Sequence, residues 1–331
     1  MSEARNVRSS TIIFKATGAF IGAAVGDALG APFEFKQAGL YSQTFPAKVM
    51  DGTGEMIGGG SFGWEPGEFT DDTQMALALA ESLILHGAIH ADDVWRRFVK
   101  WAETASDVGT IIRTALRNTS WQGAAESAHR AIGRSAGNGG LMRAFPLALA
   151  YLDADTVAAM RAACEQAALT HFDPAAQWGA AIAVETIRQL IHGVTLAKAV
   201  DNAFSRVPAE VQGVFADMMQ VDWASGKRKP ELRHLGNGTV WGCLAQALWA
   251  VRTTGSFEDA LVAAVNLGDD TDTVACVTGA IAGALYGIQA IPPRWTALVH
   301  GHVATPEGNK AYDFESLQDM ARQLIGYRCS T

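Results

Sequence analysis

Apolar residues recur along this chain at the three- and four-residue spacing of a helix face, and the strict alternation of a half-buried strand is nearly absent. The spacing predicts helices at about 14–30, 73–87, 91–104, 108–117, 122–132, 141–151, 155–168, 175–192, 196–204, 208–221, 238–252, 257–265, 273–287 and 314–325. In DDVWRRFVKWAE, Val94, Trp95, Phe98 and Trp101 share one face, where they are expected in the core rather than around a ligand. Gly- and Pro-rich stretches such as Asp51 to Phe69 separate the helices. No low-complexity linker divides the chain. The expected architecture is all-α, a single compact many-helix domain over residues 1–331.

Two of these helices carry glycine at every fourth position: Gly22, Gly26 and Gly30 in one, Gly279, Gly283 and Gly287 in the other. Each costs a helix about 1 kcal/mol relative to alanine. Three on one stripe imply that another backbone approaches closely. If the two helices neighbour each other, GDALGAPFE and GDDTDT come to lie near one site.

Composition narrows the classes. The 331 residues are 49% hydrophobic and 18% charged, which suits a folded globular chain and argues against disorder. A net charge of -8 gives no electrostatic reason to expect nucleic acid, and GKRKP at Gly226 to Pro230 reads as a solvated loop. Cys164, Cys243, Cys276 and Cys329 are scattered without a CxxC, so reduced thiols in a cytoplasmic protein are expected. The N-terminal stretch lacks the clean apolar core of a signal peptide, because Asp27 interrupts it. Val274 to Ile291 is an uncharged run of 18 residues, at the lower edge of a membrane span. An acidic cluster abuts it, and a helix at the centre of a large core explains it without a membrane.

That cluster is one of two. Thr70-Asp71-Asp72-Thr73 opens one apolar helix and Asp269-Asp270-Thr271-Asp272-Thr273 opens another. Threonine caps helices well and acids favour the first turn, so capping alone accounts for the first cluster. The second holds three carboxylates in four residues, more than capping requires. Such an all-oxygen set suits hard cations, Mg²⁺, Mn²⁺ or Ca²⁺, and two clusters suit a pair of ions. Capping and metal binding both remain open on spacing alone. The Gly137-Asn138-Gly139-Gly140 turn precedes another helix, as an anion site would and as a plain tight turn would. Asn138 is a residue that tolerates left-handed geometry. Glu34 sits between two phenylalanines, where desolvation would raise its pKa for proton transfer, or it is an ordinary helix-end glutamate. His171 lies just before Pro174, where a helix would start, and taken alone reads as a structural histidine.

Together, GAFIGAAVGDALGAPFEF, GEFTDDTQMALA, DVGTIIRTAL, GNGGLMRAFPLAL, LTHFDP and GDDTDTVACVTGAIAGALYG resemble the ADP-ribosylglycohydrolase family, whose founding type is the dinitrogenase reductase-activating glycohydrolase. The two acidic motifs, in this order and so far apart, are the specific part of the match. The resemblance implies an all-α fold with a dinuclear Mg²⁺ or Mn²⁺ centre on Thr70, Asp71, Asp72, Asp270, Asp272 and Thr273. Asp269 precedes that pattern and is expected to support it. Glu34 corresponds to the family's early glutamate near the scissile bond. Gly137, Asn138, Gly139 and Gly140 correspond to its phosphate-contacting loop, with His171 near the substrate. Asp107 matches a carboxylate that the arginine-directed branch places near the guanidinium. The activity implied is hydrolysis of ADP-ribose from a modified protein side chain, arginine foremost, with ADP-ribose as product. Release from serine, phosphohydrolysis of ADP-ribose and binding without turnover are the alternatives.

Overall fold

In the computed structural model, which describes residues 2–225 and 236–326, the apolar periodicity becomes a largely helical chain. The helices are α1 (Ser2–Gly30), α2 (Leu40–Thr44), α3 (Asp71–His86), α4 (Ala91–Ala102), α5 (Thr110–Ala115), α6 (Ala124–Ile132), α7 (Gly139–Met142), α8 (Phe145–Ala150) and α9 (Thr156–Ala168). They continue with α10 (Pro174–Ile191), α11 (Leu196–Phe204), α12 (Ala209–Met219), α13 (Val240–Thr253), α14 (Phe257–Val265), α15 (Thr271–Tyr286), α16 (Pro293–Thr296) and α17 (Phe314–Gly326). Gly226 to Pro230, read above as a solvated loop, and Cys329 lie outside the described residues.

The glycine stripes set the centre. α1 and α15 pack together so closely that side chains do not fit between them. A Cβ built on Gly22 would overlap the carbonyl of Gly279, and one on Gly26 would overlap that of Ala275. At Gly30 it would stand 2.5 Å from the Cα of Asp272. Gly18 belongs to the same seam, opposite Gly283. Gly287 also lies against Gly18, but its own Cβ would find room; it ends α15 at φ 84°, and that backbone conformation is what calls for a glycine there. One continuous core surrounds this pair and takes in Phe20, Leu29, Phe69, Met75, Phe145, Phe257 and Trp295. α4 delivers Val94, Phe98 and Trp101 into it, while Trp95 packs with Ala115, Ala124 and Ala128 in a satellite cluster.

Three details differ from the periodicity reading. The helix expected at 141–151 is two, α7 and α8, because Pro146 lies in the first turn of α8 and cannot continue a hydrogen-bond ladder through that point. A hairpin, β1 (His300–Thr305) with β2 (Gly308–Asp313), interrupts the otherwise helical chain. Its strands are short and end in glycine or polar residues, too weak an alternation to register. Among the described residues, Ser10–Phe33, rather than the run from Val274, is the helix long and apolar enough to cross a membrane. Its apolar window is 78% buried inside the protein, as a central core helix should be.

Candidate active site

The entrance of α3 is capped from another helix. Asp27, fully buried on α1, accepts hydrogen bonds from the Thr70 backbone N–H (3.0 Å) and hydroxyl (2.8 Å). It also accepts from the Thr73 N–H (3.0 Å) and hydroxyl (2.5 Å). Burial pushes its pKa up to about 6 although these four donors pull it down. The carboxylates of Asp71 and Asp72 are therefore not needed as caps, and Thr70, the N-cap residue, makes no side-chain cap itself.

The entrance of α15 behaves alike. Asp270 is its N-cap residue yet makes no side-chain cap. Instead its Oδ2 accepts from Asn138 Nδ2 (2.8 Å), while its backbone N–H donates to Asn237 Oδ1 (3.1 Å). The Thr271 hydroxyl donates to the Gly30 carbonyl (2.9 Å), tying the motif to the end of α1. The Thr273 hydroxyl donates to Asp72 Oδ2 (3.3 Å), joining residues 201 positions apart. Asp269 is in left-handed geometry, φ 59°, and its carbonyl accepts from the Phe35 N–H (2.6 Å). The second acidic motif thus holds the loop that carries Glu34.

The entrances of α3 and α15 and the loop that carries Glu34 bring the carboxylates into one place. Oxygens of Asp71, Asp72 and Asp272 lie within 4.8 Å of one another, as do those of Glu34, Asp270 and Asp272. Asp272 is common to both triads. Glu34 Oε2 and Asp72 Oδ1 are buried without any hydrogen-bond partner. Burial, reinforced by the neighbouring carboxylates, raises Asp71, Asp72 and Asp272 well above the ordinary range. Burial pushes Glu34 up to about 8, with Asp107, Asp270 and Asp27 adding to it. Two overlapping all-oxygen triads with unpartnered lone pairs have the donor chemistry of a divalent-cation site.

Every carboxylate of the two triads except that of Asp72 lines a cavity of about 580 Å³. Glu34, Asp71, Asp107, Asn138, His171, Asp270, Asp272 and Thr273 line it, with Gly137 and Gly139 of the glycine turn. Thr70, Asp72 and Gly140 do not reach its wall. Asp107 stands on the loop between α4 and α5, its pKa raised to about 6 by burial and then by Asp270. Phe33 is buried beside Glu34, but Phe35 is 65% exposed, so the cleft rather than a pair of phenylalanines desolvates the glutamate. Asn138 is right-handed, φ -84°, against the left-handed expectation, and no residue of the turn has a positive φ. Space explains the glycines instead: a Cβ on Gly139 would stand 2.8 Å from Ile112 Cδ1 and 3.1 Å from His171 Cε1. Gly139 and Gly140 form the first turn of α7, whose N–H groups lack helical acceptors.

Sequence reasoning passed over Asp27 and Asn237. Asp27 stands as the ionisable residue in the apolar run from Ala16 to Phe33, which was the available signal. Asn237 lies between two glycines, and its amide also donates to Gln246 Oε1 (3.0 Å) and the Gly268 carbonyl (2.9 Å). Nothing in its surroundings in the sequence points to that bracing role.

Comparison with known proteins identifies the family and the fold. The family model for ADP-ribosylglycohydrolase matches residues 8–330. The chain is 33% identical to ADP-ribosylarginine hydrolase Tri1 of Serratia proteamaculans (strain 568), over 96% of this chain and 81% of that one. It is 31% identical to the ADP-ribosyl-[dinitrogen reductase] glycohydrolase of Rhodospirillum rubrum, over 85% of this chain and 88% of that one. A solved structure, an ADP-ribosylglycohydrolase-related protein complex, superposes with a TM-score of 0.73 at 31% identity, covering 96% of this chain and 99% of that chain.

Proposed function

The chain belongs to the ADP-ribosylglycohydrolase family, and from that premise we propose that its cleft hydrolyses the N-glycosidic bond of ADP-ribosylarginine in a modified protein, releasing ADP-ribose. The observation that carries this reading is the charge of the cavity. Among the described residues, Glu34, Asp71, Asp107, Asp270 and Asp272 line it, with Arg134 as the lining residue of opposite charge. With Asp71, Asp270 and Asp272 engaged by cations, Asp107 is the lining carboxylate left to favour a cationic guanidinium over a neutral serine oxygen as acceptor. Relatives named for ADP-ribosylarginine hydrolysis support the same acceptor.

Thr70, Asp71, Asp72, Asp270, Asp272 and Thr273 would hold two divalent cations, Mg²⁺ or Mn²⁺, which supply Lewis acidity and a water of lowered pKa when bound. The hydroxyl of Thr70 donates its hydrogen to Asp27 and so keeps lone pairs for a cation. Asp107 faces the guanidinium, a planar fork that a carboxylate matches. Glu34 carries the proton that the leaving nitrogen needs as positive charge develops on the ribose. Its unpartnered Oε2 leaves it available for that contact. The turn at Gly137, Asn138, Gly139 and Gly140, with His171, receives the phosphates and ribose. Unpaired Cys164, Cys243 and Cys276 suit a reducing compartment, and we place the reaction in the cytoplasm.

The test is to incubate the protein with arginine-linked and serine-linked ADP-ribosylated substrates, before and after chelation, and to identify what is released. Free ADP-ribose from the arginine-linked substrate, lost on chelation and restored by Mg²⁺ or Mn²⁺, is the expected result. Asp107→Asn should slow the arginine-linked reaction more than the serine-linked one. AMP and ribose phosphate as products would replace this reading with pyrophosphate cleavage.

A further inference from the structure

Beneath the cavity wall lies a buried cation that the reaction above does not use. Arg143, on the link between α7 and α8, is wholly inaccessible to solvent, and its partners are neutral. Its Nε donates to Gln166 Oε1 (2.9 Å), and one Nη donates to the Gln166 carbonyl (3.1 Å) and to the Thr170 hydroxyl (2.8 Å). Its guanidinium carbon sits 4.5 Å from the centroid of the Phe98 ring. Such a group is held at considerable desolvation cost, which calls for a reason.

Donor counting supplies one. A guanidinium only donates, so Thr170 Oγ1 must accept from Arg143. The hydroxyl hydrogen then needs an acceptor, since Thr170 is fully buried and an unmade bond there is costly. The atom in reach is Nδ1 of His171, 2.8 Å away. An imidazole accepting at Nδ1 and neutral carries its proton on Nε2. That edge lies at the glycine turn: Cβ atoms built on Gly137 and Gly139 would stand 3.4 and 3.3 Å from Nε2. His171 lines the cavity there. Arg143 acts on the turn itself as well, because the Gln166 it anchors donates through Nε2 to the Gly140 carbonyl (2.6 Å).

We propose that Arg143 is a positioning residue of the substrate cleft, which through Thr170 fixes His171 as the neutral Nε2–H tautomer and so gives the cavity wall a permanent N–H donor for a substrate oxygen. Burial, followed by the charge of Arg143, pushes the His171 pKa down to about 3, which keeps the ring neutral. An imidazole that could turn or change tautomer would at times offer a lone pair, rather than a donor, to phosphate or ribose oxygens. A fixed donor instead discriminates for an oxygen acceptor at that point. The ligand consequence rests on the cleft being the ADP-ribosyl site, whereas the tautomer does not.

The experiment is two-bond ¹H–¹⁵N correlation NMR of the histidine rings in the full chain, with His171 assigned by substitution, paired with calorimetric binding of ADP-ribose. The native chain should show Nδ1 unprotonated and Nε2 protonated. Thr170→Val should lose that preference and weaken ADP-ribose binding about 10- to 100-fold, the scale of a lost hydrogen bond to a charged group. Thr170→Ser, which keeps the hydroxyl, should restore both readouts. Arg143→Met should resemble Thr170→Val where it folds, and the threonine variants decide the matter where it does not. An Nδ1–H imidazole in the native chain, or a tautomer unchanged by Thr170→Val, overturns the proposal. The expected tautomer in a native chain that fails to bind ADP-ribose supports the positioning role and sinks the assignment of the cleft.

Discussion

Two clusters of carboxylates meet at opposite ends of the same helix, α3, and they are built on opposite principles. At its far end, Arg97 donates through Nε to Asp93 (2.8 Å), through Nη1 to Glu81 (2.6 Å) and through both Nη atoms to Glu307 (3.0 Å each). Lys310 and Tyr312 of the hairpin donate to Glu81 as well, at 2.6 and 2.5 Å. Burial would raise Asp93, but hydrogen bonds from Arg97 and Arg96 outweigh it and hold its pKa at about 2. At the entrance of α3, Asp71 and Asp72 meet Asp272 with no such cation, and all three are raised. The balanced cluster clamps α3, α4 and the hairpin together. The unbalanced one is poised to gain a cation. Carboxylates alone do not mark a site; carboxylates whose charge the protein leaves uncompensated do.

Substitutions at the unbalanced end should break the reaction while sparing the fold. Asp272→Ala, which removes the carboxylate shared by both triads, should take turnover below detection with an unchanged helical circular dichroism spectrum. Glu34→Gln should lower turnover about 10²–10⁴-fold with ADP-ribose binding nearly intact. Normal turnover in either variant removes that residue from the mechanism.

The two ends should also respond to charge removal with opposite sign. Arg97→Met removes the cation shared by Asp93 and Glu81, leaving the first to Arg96 and the second to Lys310 and Tyr312, and should cost about 1–3 kcal/mol in a denaturant titration. Asp72→Asn relieves repulsion in the cation-free protein and should raise stability at pH 8 by on the order of 1 kcal/mol. If both variants lose stability equally, the cleft is no less balanced than the Arg97 cluster.

A smaller effect follows with pH. Glu34 and Asp107, raised to about 8 and about 6, bind protons more tightly folded than unfolded. Their contribution is full below the unfolded pKa and is lost as pH rises through those values. Thermal melts of the chelated protein should therefore show lower stability at pH 8 than at pH 6. Mg²⁺ at about a hundred times its dissociation constant should add about 2.7 kcal/mol at pH 8. Asp93 runs the other way, its contribution lost only as pH falls from about 4 towards 2. A chelated protein equally stable at pH 6 and pH 8 would contradict the uncompensated cleft.

Local sequence was enough for the helices and for the residue types of the cleft. Helical periodicity, the glycine stripes and the two acidic motifs are short-range patterns, because one turn of helix or one cap involves only a few neighbouring residues. That is why the α1–α15 seam could be anticipated from Gly22, Gly26, Gly279 and Gly283. The split at Pro146 and the hairpin escaped because a one-residue break and two short polar strands scarcely alter a periodicity taken over many residues. Whether Asp71 and Asp72 were caps or something more could not be read locally. The answer depended on Asp27, 43 positions before Thr70, already supplying the acceptors at that helix entrance. The bracing of Asp270 by Asn138 and Asn237, and of His171 by Arg143 through Thr170, likewise came only with the packed chain. A side chain's charge and donor set are properties of its type, but its partners, and hence its pKa and its role, are set by which distant segments the core brings within about 3 Å.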